Sequence, residues 1–213
     1  TLNTNYVSMN HIISSEKSLR KFRNSKVFNI KHRIIYVLGN EIVINTAESI
    51  RIIESPYHFT YYQSLDNELY FYSEEEGFYQ LVENKLKLLN NSDNIKNKRV
   101  VSFLNYKKQV HALIADFGLY NINKSRVGEL ESLMSEVNVN KIQGVDQIDD
   151  STYALKTFYN GVILFNSNGQ VLKKYYYDEG LVNNTVFSVF KDYWENLWIG
   201  TARRGLFKMD LTS

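Results

Sequence analysis

Apolar and polar residues alternate along this chain in runs of five or six, separated by turn residues. A period of two puts successive side chains on opposite faces, the mark of a β-strand. The clearest series runs Val186 to Lys191, Leu197 to Thr201 and Leu206 to Asp210. It predicts strand, tight turn, strand, short loop, strand. The step from Thr201 to Gly205 is a ruler for finding the same series upstream. Thr157 with Gly161 matches it, as does Ser73 with Gly77. Ile114 with Gly118 keeps the glycine, Thr46 keeps only the hydroxyl, and Ser14 is a degenerate candidate. After residue 73 the anchors 73, 114, 157 and 201 are spaced by about 40 residues, the length of a four-stranded unit. Before it, at 14 and 46, they are closer together.

The positions preceding each anchor support this register. Leu197, Tyr153, Val110, Leu69 and Ile42 form one apolar column, and Ile199, Leu155, Ala112, Phe71 and Ile44 form another two positions on. The column between them holds Trp198, Ala154, His111, Tyr70 and Val43. Strands apolar on both faces are sandwiched strands. Residues 42–46, 69–73, 110–114, 153–157 and 197–201 are therefore expected to be equivalent second strands. First strands are expected at 34–38, 59–64, 100–105, 142–147 and 186–191. Third strands are expected at 78–82, 119–123, 162–166 and 206–210, with fourth strands at 85–89 and 170–175 behind hairpin turns at Glu83-Asn84 and Ser167-Asn168-Gly169. Repeated units made only of short antiparallel strands predict an all-β propeller of about five to six four-stranded blades. The whole of residues 1–213 is expected to be one such domain, belonging to a larger array. Residues 127–137 are the one stretch with the look of a short helix, and Asn90 to Asn97 reads as a polar loop.

Composition sharpens this reading. Sixteen Tyr and twelve Phe against one Pro in 213 residues suit strands. A net charge of +2 gives no argument for nucleic acid. The densest basic stretch (Lys17, Arg20, Lys21, Arg23, Lys26) reads as a solvated strand face, with an anion-binding strip as the alternative. No cysteine is present, which excludes disulfides, thiolate metal sites and cysteine nucleophiles. No apolar run reaches membrane-spanning length, so contact with a membrane is expected only through segments outside this sequence. Both ends of the sequence read as cut edges of something longer.

Candidate chemistry is sparse. His11, His32, His58 and His111 form no ligand pair, so no metal and no cofactor are expected. No catalytic motif is visible. Asp66 and Asp149-Asp150 fall where a turn alone explains them. One constellation stands out. Loops between second and third strands emerge on one face, and here they carry Asp116 and Phe117, Tyr159 and Asn160, and Arg203 and Arg204. Rings and planar polar groups suit a sugar or another small polar molecule. Trp198, by contrast, is expected to pack between blades.

The last unit resembles the two-component regulator propeller repeat. The resemblance is carried by Gly180, Leu181, Asn184 and Val186, by Asp192 with Asn196, Leu197, Trp198, Ile199, Gly200 and Thr201, and by Gly205, Leu206 and Asp210. Glu195 departs from the family's usual glycine. The resemblance implies a structural role for the motif residues. It also implies the periplasmic sensor region of a bacterial hybrid two-component protein, on the outer side of the inner membrane, with a glycan fragment as input and a dimer formed through the parent protein. Two other classes compete: a protein-interaction scaffold and a carbohydrate-active enzyme. An exposed apolar face would favour the first, and a pair of axial carboxylates the second.

Overall fold

A computed structural model describes residues 25–90, 93–115, 117–123, 141–177, 180–181, 183–202 and 205–210. They form five antiparallel sheets, each a meander in chain order. The first contains β1 (Lys26–Ile30), β2 (Arg33–Leu38), β3 (Glu41–Asn45) and β4 (Ile50–Glu54). The second contains β5 (Tyr61–Leu65), β6 (Glu68–Ser73), β7 (Gly77–Val82) and β8 (Lys85–Asn90). The third contains β9 (Val100–Tyr106), β10 (Gln109–Ile114) and β11 (Gly118–Asn121). The fourth contains β12 (Ile142–Gln147), β13 (Thr152–Thr157), β14 (Val162–Asn166) and β15 (Val171–Tyr175). The fifth contains β16 (Val186–Lys191), β17 (Asn196–Thr201) and β18 (Gly205–Asp210).

This is the propeller arrangement. The first strands lie innermost: β9 touches both β5 and β12, and β12 touches β16. The fourth strands β4 and β8 are largely exposed. Each of the three middle sheets buries one face against the sheet before it and the other against the sheet after it. Tyr70, Tyr72 and Phe78 of the second sheet meet Phe103, Ala112 and Ile114 of the third. Leu104, Leu113 and Leu119 of the third meet Val145, Tyr153 and Leu155 of the fourth. Ala154, Val162 and Leu164 of the fourth meet Val189, Leu197 and Ile199 of the fifth. Double-sided packing is why the second strands read as apolar on both faces.

Four two-residue hairpins (Lys31-His32, Asp66-Asn67, Glu83-Asn84 and Lys107-Lys108) have positive φ at both positions, the turn whose twist matches its flanking strands. Three inner strands carry a β-bulge at the same place, around Val101, Gln143 and Phe187. The repetition of this irregularity confirms that the third, fourth and fifth units are in register.

Two expectations are corrected. In the first sheet residues 34–38 belong to the second strand and 42–45 to the third, not to the first and second as expected, because β1 and β4 are strands that the repeated pattern does not mark. The reason is local. The Thr46 hydroxyl closes the turn after β3 by bonding Ser49 O at 3.1 Å and accepting from the Ser49 amide at 3.0 Å. Thr157 does the same after a second strand, bonding Gly161 O at 2.9 Å. The pattern matches one hydroxyl-closed turn to another that lies one strand away. Trp198 is half-buried, on the face of the fifth sheet turned away from the fourth, and does not lie between two described blades. The anchor at 14, the remaining basic residues of the 17–26 cluster and the helix expected at 127–137 lie outside the described residues.

Candidate functional site

The family-like motif is a folded turn. Asp192 accepts from the amides of Trp194 and Asn196 at 2.9 Å each, from Asn196 Nδ2 at 3.0 and 2.9 Å, and from the Trp198 indole N–H at 2.8 Å. Partial desolvation pushes this carboxyl up. The bonds from Trp198, Asn196 and Trp194 outweigh it and hold the group at about 2. Glu195 sits inside this turn at φ 65°, the conformation for which glycine is the relaxed choice. Gly200 opposes Ser188 across the sheet, where a Cβ would lie 2.3 Å from Ser188 Oγ. In the preceding blade Asp149 closes the equivalent turn, accepting from the Ser151 and Thr152 amides at 3.0 and 2.8 Å. The bonded side chains of the motif therefore build the turn of the blade.

The loops between second and third strands place three of the six nominated residues within the described structure. Tyr159 is 62% exposed, and Lys141 Nζ stands 4.9 Å from its ring centroid. Asn160 is exposed, at the tip of a turn whose amide donates to Thr157 Oγ1 at 2.7 Å. Phe117 is half-buried and packs on Tyr120 with ring centroids 6.0 Å apart. Asp116, Arg203 and Arg204 lie outside the described residues.

One residue below this loop face, the inner strands carry a ring of equivalent positions. Lys26, Tyr61, Ser102, Gly144 and Ser188 pair with Val37, Tyr72, Leu113, Lys156 and Gly200, each the penultimate residue of its second strand. The ring is polar and cross-linked. Gln63 binds the backbone edge of β9 as a strand would. Its amide donates to Phe103 O at 2.9 Å, and its oxygen accepts from Phe103 N and the Tyr61 hydroxyl, also at 2.9 Å. Ser102 Oγ donates to Val145 O at 3.1 Å, tying β9 to β12. Lys156 pairs with Asp146 at 2.7 Å. The missing side chain at Gly144 makes room for this lysine, since a Cβ there would lie 3.2 Å from Lys156 Cε. Lys26 bonds Tyr62 O at 3.4 Å and stands 5.7 and 5.4 Å from the centroids of Tyr61 and Tyr62. Desolvation, and then the neighbouring charge of Lys156, lowers its pKa. Burial pushes the Tyr61 phenol up to about 12. Sequence reasoning did not nominate this ring. Its residues differ in type from blade to blade, and only strand register aligns them.

The opposite face holds a cleft of about 600 Å³ lined by Asp66, Asn105, Lys107, Lys108, Gln147 and Asp150 among others. Several of its groups are already engaged with one another. Asn105 donates to Asp66, Tyr153 donates to Asn105 O, and Gln147 donates to Asp149 O. Among the described residues no group of three or more His, Asp or Glu side chains is placed to hold a metal ion.

The fold has known counterparts. No family model matches the chain, and no curated protein matches it. The extracellular domain of the hybrid two-component system BT3049 of B. thetaiotaomicron superposes with a TM-score of 0.63 at 13% identity, covering 88% of this chain and 28% of that one. The extracellular domain of the one-component system BT4673 from the same organism gives 0.56 at 16% identity, over 84% of this chain and 26% of that one. The WD40 propeller of Doa1 gives 0.57 at 15% identity, over 89% of this chain and 64% of that one. The chain thus spans about a quarter of the two extracellular domains it resembles. At these identities the likeness is one of fold.

Proposed function

We propose that this chain belongs to an extracytoplasmic signal-input propeller of a two-component regulator, and that its ligand is a small polar molecule, an oligosaccharide, taken at the loop face around the axial mouth. The observation that carries the reading is the coincidence of two independent likenesses. The backbone matches the extracellular domains of a hybrid two-component system and of a one-component system. The Asp192-Asn196-Trp198 turn forms from the residues that resemble the regulator repeat. Exposed Tyr159 beside Lys141 supports the choice of face: a ring covers the apolar side of a sugar while an ammonium donates to its hydroxyls. The location outside the cytoplasm, and dimerisation through the parent protein, belong to the same proposal. No catalytic step and no nucleic-acid partner is assigned to this unit.

Calorimetric titration of a glycan panel against the intact sensor region tests it, with Tyr159→Ala and Arg204→Ala alongside. A glycan that binds wild type and loses affinity in either variant supports the reading. Equal affinity in both variants moves the site to another surface. A scaffold role is favoured by one observation, the exposure of Phe187, Phe190 and Leu206 at 57%, 65% and 61% on the fifth sheet. Those positions have a simpler use, however. Leu104 and Leu119, and likewise Tyr70 with Phe78, occupy the corresponding face of earlier sheets and pack on the next blade.

A further inference from the structure

The axial mouth carries a charge imbalance that the fold does not require. Three strands of two blades bring Lys26, Lys156 and Asp146 to it, from β1, β13 and β12 respectively, and β5 of another blade adds Tyr61 and Tyr62. Asp146 neutralises Lys156 at 2.7 Å. Lys26 has no carboxylate partner among the described residues; its ammonium rests on a carbonyl and two aromatic rings. It stays exposed to solvent and close enough to Lys156 for the two charges to repel. The carbonyl and the rings hold it there against the repulsion of a like charge in a partly dry mouth, which weakens the folded state. Gln143, the bulged residue beside Gly144, adds a buried amide nitrogen with no hydrogen-bond partner. Among the described residues, two cations and one carboxylate leave one positive charge at this point, which a ligand carboxylate seated there would neutralise.

We propose that the axial mouth of Lys26, Lys156 and Asp146 binds the carboxylate of a small acidic ligand, a uronic-acid-bearing saccharide. The proposal rests on the reading of this chain as a glycan-sensing propeller and names the chemical class of its ligand. Lys26 provides the charge. Lys156 adds a second donor held in place by Asp146. The sugar ring then extends outward, toward Tyr159 and Asn160 on the loop face above.

The test is calorimetric titration of the intact sensor region with digalacturonate and with its neutral counterpart, galactobiose, using wild type, Lys26→Met and Lys26→Arg. Lys26 is exposed and outside the Lys156-Asp146 pair, so both variants are expected to fold, and circular dichroism checks this. Digalacturonate should bind wild type and weaken as salt is raised. Lys26→Met should cost about tenfold in affinity, and Lys26→Arg should restore most of it. Digalacturonate binding equally well to Lys26→Met overturns the proposal. So does failure of the acid to bind while galactobiose binds in a Tyr159-dependent way, an outcome that leaves the sensing reading intact. If neither sugar binds, the uronate proposal is overturned, and the glycan panel decides the sensing reading separately.

Discussion

At the scale of single residues, the carboxylate of Asp192 is the most heavily bonded side chain among the described residues. Its folded-state pKa of about 2 lies below the ordinary 3.8. A depressed acid stabilises the folded state fully above its unfolded pKa, and loses that contribution as pH falls through its folded value. Stability should therefore drop between about pH 4 and pH 2, and Trp198→Phe, which deletes the indole donor, should shrink this drop. Carbon-13 titration of the Asp192 carboxyl is the check: the variant should titrate closer to 3.8, and an unchanged value would remove Trp198 from the network. The neighbouring Glu195 shows the opposite situation, a side chain where the local backbone favours none. Glu195→Gly should relieve a left-handed residue worth roughly 1–2 kcal/mol. It forfeits the exposed 2.8 Å pair with Lys191, which solvent screens, and adds the chain entropy of glycine. A net gain of about 0.5 kcal/mol in denaturant unfolding is expected.

At the scale of elements, the turns decide what the blade can be. Gly161 ends the loop after β13 at φ 66°, and a Cβ there would lie 1.8 Å from Tyr175 O. Gly161→Ala must displace the end of β15, and should cost about 3 kcal/mol or more. A loss below about 1 kcal/mol in thermal unfolding would mean that the turn is looser than it stands. Such turns also explain what was legible in the sequence. Strands β12, β16 and β17 were readable nearly to the residue: β17 ends on Thr201 with Gly205 after it, and β12 and β16 alternate ahead of the Thr-ended second strands they pair with. β1 and β4 were not. Lys-Val-Phe-Asn-Ile has no glycine-marked exit, and Thr46 closes a turn with the chemistry of Thr157 one strand out of place. Loops nominated by position gave exposed Tyr159 and Asn160, but also Phe117, whose ring packs on Tyr120. Adjacency in sequence does not say which way a loop side chain turns. The axial ring was unreadable for a further reason: Lys26 and Lys156 meet only when separate blades are brought round one axis.

At the scale of the whole molecule, the five sheets form an arc whose interfaces are all built alike. Apolar clusters join the first sheet to the second, the second to the third, the third to the fourth and the fourth to the fifth. Among the described residues none joins the fifth to the first. The outward face of the fifth sheet keeps the apolar residues that earlier sheets use to receive a neighbour, with Phe190 and Leu206 exposed. That face should make this 213-residue chain self-associate when isolated. Phe190→Ser with Leu206→Ser should lower its sedimentation-average mass at a given concentration, and an unchanged distribution would place the sticky surface elsewhere.

The central claim is that the loop face and axial mouth of this arc form a ligand-sensing surface. Hydrogen–deuterium exchange of the intact sensor region, with and without a glycan that binds in titration, reads this directly. Protection is predicted at the starts of the inner strands and the loops above them, around residues 26–27, 60–62, 141–145 and 158–161. Protection at the opposite turns around Asp66, Lys107 and Asp150, or at neither face, would contradict the account.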